Sequence, residues 1–211
     1  SPLHAGEFKS KVINVIGNKH SIIFIGNPIN NFNDKFIKNV QNICIASSRI
    51  MDTTPPSGNE YQFIIQILKD TYGGLEHNNS SVLQYCWKRL TTKEGYRKFL
   101  QLIAHEYFHQ WNVRRLRPRE FINYDYSQPV ITESLWFAEG ITSYYDILIP
   151  YLAEITKENE LYDDLGKLIT SYLNTPGRDY QTLSQSSQEA WVKLYKSNKT
   201  SIDTQISYYL Q

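Results

Sequence analysis

Cysteine is scarce in this chain: Cys44 and Cys86 are the only two in 211 residues. Two thiols cannot build the disulfide framework of a small secreted domain. None is needed, because 211 residues with 41% hydrophobic and 14% aromatic side chains can bury a proper core. Both cysteines are expected as buried thiols. An excess of charge of one sign is also missing, since 22 Lys and Arg face 21 Asp and Glu. No global field therefore points to nucleic acid or to an anionic membrane surface. No apolar run approaches the ~18 residues of a membrane helix. The start, SPLHAGEF, has neither a basic n-region nor an apolar h-region. The expectation is a cytoplasmic chain without a membrane partner, although a start at Ser1 admits a trimmed address signal. Internal repeats and low-complexity tracts are absent as well.

What is present separates into strands first and helices later. Lys11 to Ile16 and Ser21 to Ile25 alternate like a hairpin around Gly17 to His20. From Asp34, apolar residues recur at three- and four-residue spacing until Pro55-Pro56. Tyr61 to Leu68 reads as a third strand, which the Gly73-Gly74 pair breaks or opens to another backbone. Beyond Thr91 or Thr92, either a plausible N-cap, the pattern is helical up to about Arg114. A loop to about Pro129 leads to helices expected over Glu133 to Leu148, with Pro150 perturbing the end, then Glu158 to Asn174 and Ser187 to Tyr195. This segregation is α+β rather than βαβ. A sheet-containing lobe over about 1–90 and a helical lobe over about 91–211 are expected.

Inside the first of those helices lies His105-Glu106-Tyr107-Phe108-His109. Four residues advance about 400° at about 100° each, so both imidazoles leave one face about a turn apart. Two nitrogens can then reach one zinc ion at about 2.0–2.1 Å. Glu106 flanks that face, where its carboxylate can take a proton from zinc-bound water. A catalytic zinc needs a third N or O donor from another segment. Glu139 lies thirty residues after His109, in the otherwise apolar Leu135-Trp136-Phe137-Ala138-Glu139-Gly140. A charged residue is rare there unless it is paired or binds a metal. Glu133 competes, but the helix dipole already accounts for an acid beside Thr132, so Glu139 is favoured. Asp146, seven residues on, reads either as a partner to a zinc histidine or as a solvated acid.

Three segments now stand in order: Gly73-Gly74-Leu75-Glu76-His77, HEYFHQWN at 105–112 and LWFAEGITSYY at 135–145. Together they resemble the M61 family, the glycyl aminopeptidases, which is similar to the M1 aminopeptidases. The resemblance implies a thermolysin-like (gluzincin) catalytic domain: a small mixed sheet whose edge strand leads into GGLEH, followed by a mainly helical part. It implies zinc held by His105, His109 and Glu139, with Glu106 as the general base. By likeness to the M1 exopeptidase segment, Glu76 would bind the substrate's free α-amine and the Gly73-Gly74 backbone would lie along the substrate main chain. His77 stands where M1 has Asn, in a role open between substrate contact and structural hydrogen bond. The end, Ser207-Tyr208-Tyr209-Leu210-Gln211, is similar to the segment where M1 enzymes place an oxyanion-stabilising tyrosine; this selects Tyr209, with Tyr208 next. The implied reaction is removal of small N-terminal residues such as Gly or Ala from peptides. Members of M61 are usually longer, so further domains of the same protein are implied partners, and activity of this piece alone is in doubt.

Two readings compete with the aminopeptidase: a thermolysin-like endopeptidase, and an inactive binding or scaffold fragment. The Arg114-Arg115-Leu116-Arg117-Pro118-Arg119 cluster invites nucleic acid, but the near-zero net charge favours a solvated or salt-bridged loop. Contacts with a substrate carboxylate or another domain are the lesser option for it. Trp87, Trp111 and Trp136 are expected in the core, with pocket lining the lesser option for the last two.

Overall fold

The computed structural model describes residues 2–26, 32–123, 125–194 and 206–209. Strands β1 (Lys9–Val15) and β2 (Asn18–Ile25) form an antiparallel hairpin with Val15 opposite Asn18. Its turn is the pair Ile16-Gly17, with φ of 50° and 86°. The expected four-residue turn is thus corrected to two. Positive φ at both central residues matches the strands' right-handed twist, and Gly17 adopts it freely. His20 consequently belongs to β2 and is buried.

β3 (Glu60–Leu68) pairs parallel with β2, β5 (Ser80–Cys86) parallel with β3, and β4 (Tyr72–Glu76) antiparallel with β5. The order β1-β2-β3-β5-β4 makes a mixed sheet with β4 at its edge. Gly73 and Gly74 therefore do not break a strand; they lie inside one. β5 is absent from the sequence expectation, because three serine or glutamine residues dilute the apolar pattern of SSVLQYC.

Helix α1 (Asp34–Ile50) is capped by Asn33, whose Oδ1 accepts the Phe36 N–H at 3.1 Å. Its inner face, Phe36, Val40 and Ile43, shares a core with Ile22, Phe63 and Leu83 of the sheet and with Phe99, Leu100 and Ile103 of α2 (Lys93–Phe108). Thr92 caps α2, accepting the Gly95 N–H at 3.0 Å. Every residue from Phe99 to Val113 is buried. A helix end closed on all sides is expected to be apolar all round, yet this one carries His105, Glu106 and His109.

A single π-helical turn, Trp136–Gly140, leads into α3 (Ile141–Leu152). The expected helix from Glu133 is corrected: Glu133 lies outside it and is exposed. Pro150 sits in the last turn of α3 without stopping it before Leu152. α4 (Glu158–Leu173) packs against α3 and reaches α2 through Asp164. The expected final helix is two short pieces, α5 (Leu183–Gln188) and α6 (Ala190–Lys193), and Tyr195 lies outside the described residues. Trp111 is buried, with its indole N–H donated to Thr53 Oγ1 at 2.7 Å. Trp136 is half-buried and Trp87 exposed, so the core reading fails for Trp87. Cys44 and Cys86 are buried free thiols, as expected, and Cys86 Sγ donates to Lys69 O at 2.7 Å. Among the described residues no helix is long and apolar enough to cross a membrane.

Candidate metal centre and active-site cleft

The C-terminal half of α2 delivers His105 and His109 to one point, and the π turn delivers Glu139. Glu139 Oε2 lies 3.2 Å from His105 Nε2 and 3.4 Å from His109 Nε2, and the three donor atoms fall within 4.8 Å of one another. Each imidazole is held by its other nitrogen. His105 Nδ1 donates to Asp146 Oδ2 at 2.9 Å, and His109 Nδ1 donates to the Asn112 carbonyl at 2.8 Å. A carbonyl only accepts, so the His109 proton sits on Nδ1, and a neutral ring turns its Nε2 lone pair toward Glu139. Asp146 is thus a histidine partner, not a solvated acid.

The donor set fits zinc. Tetrahedral ligands about 2.0–2.1 Å from one ion are about 3.3 Å apart, and the two carboxylate–imidazole separations bracket that value. The carboxylates make this point favourable for a cation: burial opposes charge on His105 and on His109, but Asp146 and Glu139 at the first, and Glu139 at the second, raise both pKa values. Burial also resists ionisation of Glu139, yet the two histidines hold its pKa well below the usual carboxylate range. Glu106 is pushed up to about 7, first by burial and then by Glu76 and Glu139, against the lowering pull of His105 and His109. Its Oε2 is buried and has no protein partner among the described residues, which leaves an acceptor available to a bound group.

These residues floor a cavity of about 500 Å³, which is also lined by Tyr72, Gly73, Gly74, Leu75, Glu76, Leu102, Ser143, Asp146 and Tyr209. The edge strand β4 forms one wall. A Cβ on Gly74 would fall 2.2 Å from Glu106 Cδ, so the strand approaches the carboxylate only because residue 74 has no side chain. Glu76 is two residues along, and the strand's period of two puts both positions on one face. Tyr209 reaches the cleft with its ring 6.3 Å from that of His105 and stacks on Tyr208, which is buried. Leu210 and Gln211 lie outside the described residues.

Of the candidates named from sequence, His105, Glu106, His109, Glu139, Glu76, Gly73, Gly74 and Tyr209 all line this one cleft; Glu133 is not among them. Neither Trp111 nor Trp136 lines it. His77 donates its backbone N–H to Ser80 O at 2.7 Å and places Nδ1 3.2 Å from Leu75 O, within the β4–β5 turn. The arginine cluster is not salt-bridged among the described residues. Arg114 and Arg117 donate to Asn78 Oδ1 at 3.0 and 3.3 Å, and Arg115 donates to the carbonyls of Asn78, Gln110 and Pro56. It ties the turn after β4 to the exit of α2. Residues missed from sequence include Tyr72, Leu102 and Ser143 in the lining, and Asn112 and Thr142 behind it. Asn112 stands within HEYFHQWN, but nothing in a sequence tells a buried amide from an exposed one.

A search of curated proteins finds no match. Among solved structures, an aminopeptidase N family protein from Idiomarina loihiensis is similar at 30% identity and a TM-score of 0.88, covering 97% of this chain and 35% of that one. An M1 zinc metallopeptidase from Deinococcus radiodurans (13% identity, TM-score 0.55, 89% of this chain and 37% of that one) shares the fold. So does yeast LTA4 hydrolase in complex with bestatin (18%, 0.55, 85% and 26%). The chain thus spans about a third of the length of these structures, and its architecture is the gluzincin α+β fold. The M61 glycyl aminopeptidase family matches residues 98–211, more than half of the sequence, and the chain belongs to that family.

Proposed function

We propose that this chain is the catalytic region of a zinc aminopeptidase, with His105, His109 and Glu139 as ligands and Glu106 as the general base. The observation that carries the reading is the convergence of two Nε2 atoms, each ring fixed through Nδ1, with Glu139 Oε2 at 3.2 and 3.4 Å. Zinc bound there supplies Lewis acidity to the scissile carbonyl and to the attacking water. Glu106 takes the water's proton and returns it to the leaving amine; its confinement against Gly74 keeps the carboxylate aimed into the cleft. Asp146 holds the His105 ring in register.

Exopeptidase selectivity would come from Glu76, half-buried in the wall of the same cleft. A fixed carboxylate there is offset by an ammonium ion and by nothing in the middle of a peptide. Tyr209 is favoured over Tyr208 for the oxyanion, because it lines the cavity. The preference for Gly or Ala at the substrate's first residue rests on family likeness, as does the presence of further domains.

The test is hydrolysis of Gly- and Ala-terminated peptides beside the same peptides with acetylated amino termini. Cleavage of the free forms, lost on acetylation and weakened in Glu76→Gln, supports the reading. Equal cleavage of both forms would replace it with an endopeptidase, and cleavage of neither by a full-length protein that binds zinc would leave a binding or scaffold role.

A further inference from the structure

Two of the proposed ligands lie close in sequence, His105 in the last turn of α2 and His109 at its C-cap, but the third comes from the π turn, so contacts between these segments set their register. We infer that Asn112 is the positioning residue that couples His109 to Glu139. The inference rests on the zinc reading above.

Asn112 is buried and acts in both directions. Its main-chain carbonyl accepts the His109 Nδ1–H at 2.8 Å. Its side-chain Nδ2 reaches three acceptors around the π turn: Phe137 O at 3.1 Å, Ala138 O at 2.9 Å and Thr142 Oγ1 at 3.1 Å. Thr142 closes the circuit by donating its own hydroxyl to Ala138 O at 2.7 Å. Ala138 immediately precedes Glu139, so the amide grips the backbone that aims the third ligand. The π turn explains why those carbonyls are open to it: widening the helix by one residue carries them out of line with their usual i+4 donors.

Two features bear on how this contact is held. Asn112 Oδ1 is buried and has no protein partner among the described residues. The amide is therefore oriented for its two hydrogens at the expense of its oxygen; rotating it by half a turn would set oxygen against three oxygens. The next residue, Val113, is β-branched, buried and at φ 105°. β-Branched residues rarely adopt that conformation, and it persists where surrounding contacts over-determine it. Here it lets the chain turn at the end of α2, with Arg114 N–H bonded back to His109 O at 3.0 Å, while the Asn112 carbonyl stays in reach of His109 Nδ1.

The test is zinc affinity, measured with a competing chelator, of the parent, Asn112→Ala, Asn112→Asp and a control, Phe36→Leu, whose cavity lies in the core against Phe24 and Phe99. The melting temperature of each zinc-free protein and the visible spectrum of each cobalt-substituted one are recorded alongside. Both Asn112 variants are expected to bind zinc about 10- to 100-fold more weakly and to show altered cobalt spectra. Phe36→Leu should melt lower and keep the parent's affinity and spectrum. If Asn112→Ala and Asn112→Asp do not fold, Thr142→Val, which removes one acceptor of the amide and the donor to Ala138 O, is read in the same way. Variants at 112 or 142 that behave like Phe36→Leu would overturn the inference and leave the zinc reading standing. A parent that binds no zinc would overturn that reading, and the inference with it.

Discussion

Glu106 concentrates the chemistry at the residue scale. It is buried, its pKa stands at about 7, and it is the proposed base. Only the carboxylate can accept a proton, so kcat/KM is expected to rise with pH through the pKa of Glu106. With zinc bound, His105 and His109 would be neutral ligands and the cation would take over the lowering pull on Glu106, which places the midpoint at or below about 7. Glu106→Gln is expected to keep its zinc and lose about 10²- to 10⁴-fold in rate. A midpoint well above 7, or a Gln variant that retains activity, would contradict this role. His20 tests the other side of α2. Its Nε2 accepts the Tyr107 hydroxyl at 2.8 Å, and burial lowers its pKa to about 4 although backbone contacts at Asn18 and Lys19 raise it. Because that folded value lies below the unfolded one of about 6.5, the unfolded chain takes up the extra proton as pH falls. Stability should be complete above about 6.5 and drop by as much as ~3 kcal/mol toward pH 4. Urea midpoints across this range should lose that part of their slope in His20→Gln, and an unchanged slope would show that His20 does not carry it.

Helix α2 is the element on which the site depends, and α4 holds it from outside. The Asp164 side chain is fully buried and accepts from Arg97 Nε and NH2 at 3.0 Å each, from Gln101 Nε2 at 2.7 Å and from Lys98 Nζ at 3.2 Å. Burial alone would raise its pKa, but Arg97 and Gln101 reverse that and hold it low. Asp164→Ala leaves Arg97, whose side chain is 12% exposed, with the longer contacts to Glu160 at 3.4 Å and Asp163 at 3.7 Å. A loss of about 3 kcal/mol is expected, read as a lower thermal midpoint; a change under ~1 kcal/mol would mean the cluster is solvated in practice. The helical spacing of α2, its Thr92 cap and the two imidazoles on one face could all be read from sequence, because each is a local property of the chain. The π turn could not be, since periodicity does not distinguish a turn widened by one residue over so short a stretch. β4 was equally hidden: a Gly-Gly pair reads as a break, and it becomes a strand only because β5 supplies partners and Glu106 needs the space above Gly74.

At the scale of the whole molecule, the segregation of strands before helices announced an α+β fold, while the strand order β1-β2-β3-β5-β4 depends on tertiary pairing that no local pattern encodes. The convergence of His105, His109 and Glu139 was legible because an HExxH spacing and a carboxylate inside an apolar turn are each anomalous unless they meet. Asn112 and Asp146 were harder, as an amide and an acid have ordinary uses on a surface. The proposed metal centre lies wholly within residues 105–146. The most direct test of that centre is the zinc content of the purified chain after zinc addition and desalting, set beside His109→Ala and Glu139→Ala. The account predicts about one zinc per chain in the parent and little in either variant. A parent without zinc, or variants that retain it in full, would contradict the metal centre on which the proposed function rests.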